Sequence, residues 1–229
     1  VIVAHGSPSD PEPQERVMRV LSVRVARYLP GWRVEGTTLA TPGRFEATLD
    51  RVVSPVIYPF FMSRGWFTNT HLVSRVNGRA ARILPPTGTD PALPGLAAEM
   101  LQAALARAGW HAADTTLLVA AHGSRTSLTS AESALVTAQV LGHVLGFRQT
   151  VTGFIEQAPF LADAASDLGQ AICLSFFALD AGHMKTDLPE ALATAGFTGP
   201  VLPAFARLDA LPALIADSLW RHAIKRYAA

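Results

Sequence analysis

The sequence predicts an α/β protein built of two similar tandem halves, each a mainly parallel four-stranded sheet with helices on both faces. Three observations carry that expectation: an internal repeat, short apolar runs alternating with longer amphipathic stretches, and enough apolar residues to fill two cores. Of 229 residues, 49% are hydrophobic and 16% charged. That composition excludes disorder and fits one or two domains of about 100 to 200 residues each.

The repeat fixes the organisation. Val-Ala-His-Gly-Ser at 3–7 returns as Ala-Ala-His-Gly-Ser at 120–124, so His122 follows His5 by 117 positions. The register persists: Gly36 meets Gly153 and Pro42 meets Pro159 at the same shift, and Phe60-Phe61 meets Phe176-Phe177 at 116. Pro85, Pro94 and Leu96 then meet Pro203, Pro212 and Leu214 at 118. Seven correspondences in order place the boundary near Ala112-Ala113-Asp114, with one half over 1–113 and the other over 114–229.

In the second half, strands are expected at Thr116–Ala121, Gln149–Ile155, Ala171–Ala178 and Pro200–Pro203, all short and rich in β-branched or aromatic residues. Helices are expected near 130–145, 158–168, 183–195 and 209–226. The first of them opens on Thr129-Ser130-Ala131-Glu132, the pattern of a capping box. In the first half, a helix near 12–29 carries Val17, Leu21, Val25 and Tyr28 at helical spacing, which reads as a core stripe. Connections at 85–94 and 205–211 are longer than the others.

Charge and cysteine content narrow the partners. With 19 basic against 18 acidic residues the net charge is +1, which gives no general attraction for nucleic acid or an anionic membrane. The single cysteine, Cys173, excludes an internal disulfide framework, a CxxC zinc site and a cysteine-ligated iron–sulfur cluster within one chain, and fits a reducing cytoplasm. Apolar runs stay well short of the roughly 18 residues of a spanning helix, and Val1 opens directly in a strand-like segment, so the expectation is a soluble protein that is not exported.

Placing the polar residues on the sheet locates a candidate site. If the second half begins with strand order 2-1-3, the carboxyl ends of its first three strands lie side by side at the crevice. His122 follows the first strand, Glu156 the second, and His183 the third after Leu179-Asp180-Ala181-Gly182. Two imidazoles and a carboxylate form a sensible set for a divalent ion such as Co2+, Fe2+, Ni2+ or Zn2+. The first half offers a control, because the same positions hold His5, Leu39 and Phe67. A metal site needed only once leaves its twin free to become apolar, with His5 as a remnant.

These residues also carry a resemblance. Leu117–Arg125 (LLVAAHGSR), Phe154-Ile155-Glu156 and Phe176–Pro189 (FFALDAGHMKTDLP) resemble the class II tetrapyrrole chelatases, the cobaltochelatase and sirohydrochlorin ferrochelatase group, over essentially the whole chain as two chelatase-like, flavodoxin-like units. The resemblance implies insertion of Co2+ or Fe2+, as substrate, into a sirohydrochlorin-like ring in cobalamin or siroheme synthesis. No organic cofactor is implied. Metal-binding and catalytic roles carry over to His122, His183 and Glu156. The substrate so implied is a polycarboxylate, for which Arg125 and Lys185, with backbone donors at Gly123 and Ser124, are the expected anchors. Phe177, Phe176 or Trp66 would pack on the ring. Phe67 stands where the first half would need its second histidine, and His71 falls opposite Asp187. Two fused halves can supply within a monomer the cleft that shorter relatives need a dimer to build; a homodimer is the alternative.

Plainer roles stand beside these. Glu156 can cap the helix that follows, Gly123-Ser124 can be only a tight turn, Arg125 and Lys185 can be solvated charges, and Phe176, Phe177 and Cys173 suit the core. Residue types do not divide ligand from base between His122 and His183, and they do not name the ion. Competing functions are a noncatalytic tetrapyrrole or metal carrier and, last, histidine-based phosphoryl transfer. The latter needs a cation beside the histidine, where Ala121 stands.

Overall fold

The computed structural model describes residues 1–125, 127, 129–180 and 182–224, with the side chains of all but His183, Ala223 and Ile224. The chain divides into two compact units, Val1–Asp90 with the segment from Leu208 onward, and Pro91–Arg207.

The first unit holds a parallel sheet of order β2-β1-β3-β4, made of β1 (Ile2–Ala4), β2 (Gly36–Thr38), β3 (Val56–Pro59) and β4 (Arg82–Ile83). Its helices are α1 (Glu12–Ala26), α2 (Arg44–Asp50) and α3 (Leu72–Val76), the last entered through a π-helical turn at Phe67–His71. Val3, Phe45, Leu49, Ile57 and Leu72 pack together as a buried core. The α1 face differs from the expected stripe. Met18, Leu21, Ser22 and Val25 are buried with Glu15, whereas Val17 and Tyr28 are exposed. The hydrogen bonds that Glu15 accepts from Thr37 and Thr38 hold a polar residue inside, so the buried face is turned toward it.

The second unit begins with α4 (Leu93–Ala108), then places β5 (Thr116–Ala121) between β6 (Gln149–Phe154) and β7 (Ala171–Ser175), the expected 2-1-3 order, all parallel. All six β5 residues are buried, as a central parallel strand covered on both faces requires. Its helices also include α5 (Thr129–Leu145), α6 (Leu161–Ala164) and α7 (Asp187–Thr194). The residue preceding Thr129, where an N-cap would sit, lies outside the described residues; the Thr129 hydroxyl shares a hydrogen bond with Ser127 Oγ at 2.9 Å.

Several expected elements come out shorter, the third strand ending at Ser175 and the helix over 183–195 starting at Asp187 among them. The fourth strand reduces to one parallel bridge, Cys173 to Val201, closed by Cys173 N donating to Pro200 O and Leu202 N to Cys173 O. Pro200 and Pro203 have no amide hydrogen to extend it. The helix expected over 158–168 keeps only α6. Pro159 disfavours helix at Ala158, and Phe160 instead makes a bridge to Phe154.

The repeat boundary at 113/114 and the division by compactness differ in one respect. α4 belongs to the second unit, packed on α5, and α8 (Leu211–Ile224) to the first, packed on α1. The chain passes between units near Asp90-Pro91 and Arg207-Leu208, within the two connections that the sequence marks as long.

Gly36 and Gly153, equivalent in the repeat, both permit close approach, but to different helices. A Cβ on Gly36 would stand 2.0 Å from Met18 O of α1, and one on Gly153 2.9 Å from Leu161 Cα of α6. Cys173 is fully buried in the second core, beside Leu118, Ala120, Leu161 and Leu188. Burial pushes its thiol pKa up to about 12. Since the thiolate is the reactive form, iodoacetamide at pH 8 should leave the native protein unlabelled and modify Cys173 only in denaturant, as read by intact mass; rapid labelling of the folded chain would contradict this burial.

Candidate functional site

The carboxyl edge of the second sheet brings His122 and Glu156 together through the backbone. Pairing between β5 and β6 runs past the strand ends: Ile155 N donates to Ala121 O at 3.1 Å and Glu156 N to His122 O at 2.9 Å. β7 follows the same course, with Phe176 N donating to Ala120 O at 2.8 Å. The chain then reaches a 3-10 turn at Gly182–Met184, which carries the His183 backbone. The His183 side chain lies outside the described residues. Among the described residues no three His, Cys, Asp or Glu groups converge as a metal site.

His122 Nδ1 lies 2.9 Å from Gly123 O. A carbonyl only accepts, so Nδ1 donates, and the neutral ring then carries its lone pair on Nε2. Gly123 makes this possible. Its φ of +71° is left-handed, and a Cβ there would stand 2.7 Å from Gln157 Cγ and 3.0 Å from Phe154 Cβ. Gly123→Ala should therefore cost about 1–3 kcal/mol through backbone strain and shift the carbonyl that orients His122. A lowered melting temperature together with slower metal insertion is expected; a variant equal to wild type in both would show that the turn is not required.

The substrate anchors expected from sequence fare differently. Ser124 N donates to Gln157 Oε1 at 2.8 Å, and Ser124 Oγ accepts from Ser127 N at 3.1 Å. The Ser124 amide therefore fastens its own turn, which is a correction to its reading as a ligand donor. Phe177 is corrected too. It is 8% exposed and packs with Leu118, Ala120, Leu188 and Leu192, so its ring fills the core. Phe176 is buried, edge-on to Phe205 at 5.8 Å. Lys185 is exposed just past the 3-10 turn, its amide donating to Gly182 O at 2.8 Å. Arg125 Nε pairs with Glu156 Oε2 at 2.8 Å, the side chains being 79% and 28% exposed. An ion pair this open contributes little, so it can exchange partners.

Two participants escape sequence reading. Gln157 holds the His122-Gly123-Ser124 turn from the end of β6, and only its position after Glu156 hinted at it. Asp180 accepts from Ala204 N at 3.2 Å and pairs with Arg207, tying the segment before His183 to the following loop.

The first unit repeats the backbone arrangement. His5 follows β1, its Nδ1 donates to Gly6 O at 2.6 Å, and Leu39 N donates to His5 O at 3.1 Å. Leu39 thus occupies the place of Glu156, and Phe67 lies edge-on to His5 with centroids 4.1 Å apart.

A family model described as CbiX matches residues 116–214. The chain is similar to CbiX described as the terminal enzyme for biosynthesis of siroheme in denitrifying bacteria, at 47% identity over 96% of this chain and 97% of that one, with a TM-score of 0.88. It is also similar to SirB from Bacillus subtilis with Fe3+, at 12% identity over 95% and 92% of the two chains and a TM-score of 0.71. The sirohydrochlorin chelatase SirB from Bacillus subtilis subspecies spizizenii in complex with cobalt matches at 10% identity over 96% and 91%, with a TM-score of 0.64. These last two share the fold. No curated protein sequence matches the chain.

Proposed function

Since the chain belongs to the CbiX family of class II tetrapyrrole chelatases, we propose that it inserts Co2+ or Fe2+ into sirohydrochlorin or a close relative, in siroheme or cobalamin synthesis. The observation that carries the site assignment is the backbone pairing that sets His122, with its Nδ1 engaged, beside Glu156 at the carboxyl edge of the second sheet.

Insertion exchanges two pyrrole N–H bonds and the ion's bound water for metal–nitrogen bonds, and two protons leave. His122, through Nε2, is assigned to hold the incoming ion or to take one of those protons, with His183 sharing both tasks. Glu156 balances the ion's charge or relays a proton. Arg125, released from Glu156, and Lys185 meet substrate carboxylates. In this reading the half over 114–229 carries the metal site and the half over 1–113 its degenerate twin, within a monomer acting in the cytoplasm. Among the described residues, no helix is long and apolar enough to cross a membrane.

The degenerate first site favours one second reading, a carrier that holds ring or ion without turnover. Absorbance of the ring under excess sirohydrochlorin and Co2+ separates them. Many equivalents of metallated product per chain are expected; capture of one equivalent with no further turnover would identify the carrier.

A further inference from the structure

The peptide group joining Gly123 to Ser124 is held at both poles. Its carbonyl, Gly123 O, accepts from His122 Nδ1 at 2.9 Å, and its amide, Ser124 N, donates to Gln157 Oε1 at 2.8 Å. A trans peptide is planar, so its C=O and N–H point in opposite directions. Fixing the N–H on Gln157 therefore aims the C=O at the imidazole. Strand pairing brings the glutamine there, since Glu156 N donates to His122 O at 2.9 Å and Gln157 is the next residue. Its side chain then lies across the turn: a Cβ on Gly123 would stand 2.7 Å from Gln157 Cγ and 3.0 Å from Gln157 Oε1.

We infer that Gln157 is a positioning residue, which holds His122 in the tautomer that presents the Nε2 lone pair. The turn itself makes an anchor necessary. Gly123 has a φ of +71° and no Cβ, so rotation of the peptide that follows it meets little steric resistance. A flipped peptide would turn the Ser124 N–H toward Nδ1. Two donors cannot pair, so the ring would shift its proton to Nε2 and lose the lone pair there. The bond to Gln157 Oε1 opposes that flip. The first unit supplies a comparison. Its turn has the same form, with Gly6 at a φ of +79° and His5 Nδ1 donating to Gly6 O at 2.6 Å. The place of Gln157 is taken there by Ala40, whose methyl accepts nothing, next to Leu39 in the place of Glu156. That turn lies instead against Thr38, whose hydroxyl would be 2.6 Å from a Cβ on Gly6, where the second half has Ile155. The half that keeps the candidate ligands is thus the half that ties this peptide through a side-chain acceptor. The role rests on the chelatase reading for what Nε2 does, whereas the tautomer is read without turnover.

The test compares the full chain with Gln157→Met, which keeps the length and loses the acceptor, and Gln157→Glu, which restores an acceptor oxygen. Long-range 1H–15N spectra at mildly alkaline pH read the tautomer of His122, its signals identified by their loss in His122→Ala. Insertion of Co2+ into sirohydrochlorin gives kcat and the KM for each substrate. In wild type and Gln157→Glu the His122 proton should sit on Nδ1, and in Gln157→Met a ring protonated on Nε2 should appear. The KM for Co2+ should rise about tenfold in Gln157→Met, as it does when the support behind a metal-binding histidine is removed, with the KM for sirohydrochlorin changed by less than about twofold. Gln157→Glu should recover most of that loss. Should Gln157→Met not fold, Gln157→Asn, whose amide stops short of Ser124 N, takes its place with the same expectations. An unchanged tautomer, a KM rise shared equally by both substrates, or a loss that Gln157→Glu does not recover would overturn the role. A wild-type chain that never metallates the ring, yet shifts its His122 tautomer in Gln157→Met, would sink the chelatase reading and leave the positioning intact. Turnover by the wild type with a tautomer indifferent to Gln157 would do the reverse.

Discussion

Replacing His122 with alanine is expected to slow metal insertion at least about a hundredfold while leaving the protein folded. A positioned acid or base contributes about 10²–10⁴ in rate, and loss of a ligand to the incoming ion acts in the same direction. The structural cost is small. His122 is exposed, and its Nδ1 hydrogen bond to Gly123 O at 2.9 Å is to a backbone carbonyl one residue away and only partly buried. Exposed substitutions of this kind stay within about 0.5 kcal/mol. The initial rate of absorbance change on adding Co2+ to sirohydrochlorin and enzyme, read beside a melting curve, separates chemistry from folding. A variant that melts normally and metallates within twofold of wild type would remove His122 from the site.

The carboxyl edge of the second sheet was legible because three signals agree there. β5 is a buried parallel strand and reads as an unbroken apolar run from Leu117 to Ala121, so the first polar residue after it, His122, has to stand at its end. The doubly wound 2-1-3 order then sets the topology, and parallel pairing carries Glu156 to the neighbouring place. Side-chain direction was less accessible. Arg125 was read as a substrate anchor and Glu156 as a metal ligand, and the structure pairs them with each other. For Ser124 and Phe177 the resemblance implies contact with the substrate. Hydrogen bonding to Gln157 and packing in the core decide their roles, and neither leaves a periodic trace in sequence.

The exchange of last helices was hidden for a different reason. A repeat records which segments share an origin, and helical spacing records that a face is apolar. Neither says which core that face joins, and it is packing alone, of α4 on α5 and of α8 on α1, that assigns the two helices to opposite units. The contact of Phe67 with His5 in the first unit depends on the π-helical turn at Phe67–His71, whose register a 3.6-residue pattern does not anticipate.

Glu15→Ala should be a costly polar truncation in the first unit. As an acidic residue in the first turn of α1, Glu15 reads as an ordinary complement to the helix dipole, yet it is 1% exposed. Its Oε1 accepts from Thr38 N at 2.8 Å, Thr38 Oγ1 at 2.6 Å and Thr37 Oγ1 at 3.3 Å. Thr37 and Thr38 are buried as well, so Glu15→Ala strands Thr38 N and Thr38 Oγ1 where water does not reach and leaves Thr37 Oγ1 only its long contact to Thr38 O at 3.4 Å. Each stranded donor costs about 1–3 kcal/mol, and their overlap leaves roughly 3 kcal/mol or more in total. At about 2–4 °C per kcal/mol for a chain of this size, the melting temperature should fall by roughly 6–12 °C. Glu15→Gln keeps an acceptor oxygen and should lose less than half as much. The consequence reaches the site edge, because a Cβ on Gly6 would stand 2.6 Å from the same Thr38 hydroxyl: Glu15 secures Thr38, and Thr38 lies against the turn that carries His5. The second unit secures its matching turn differently, through Gln157 and Ser124 N, so Glu15→Ala should lower the melting of the first unit without slowing metal insertion by the fully folded enzyme. Calorimetry of both variants decides it, and an alanine variant that melts within 2 °C of wild type would show that water or a rearranged partner satisfies those donors.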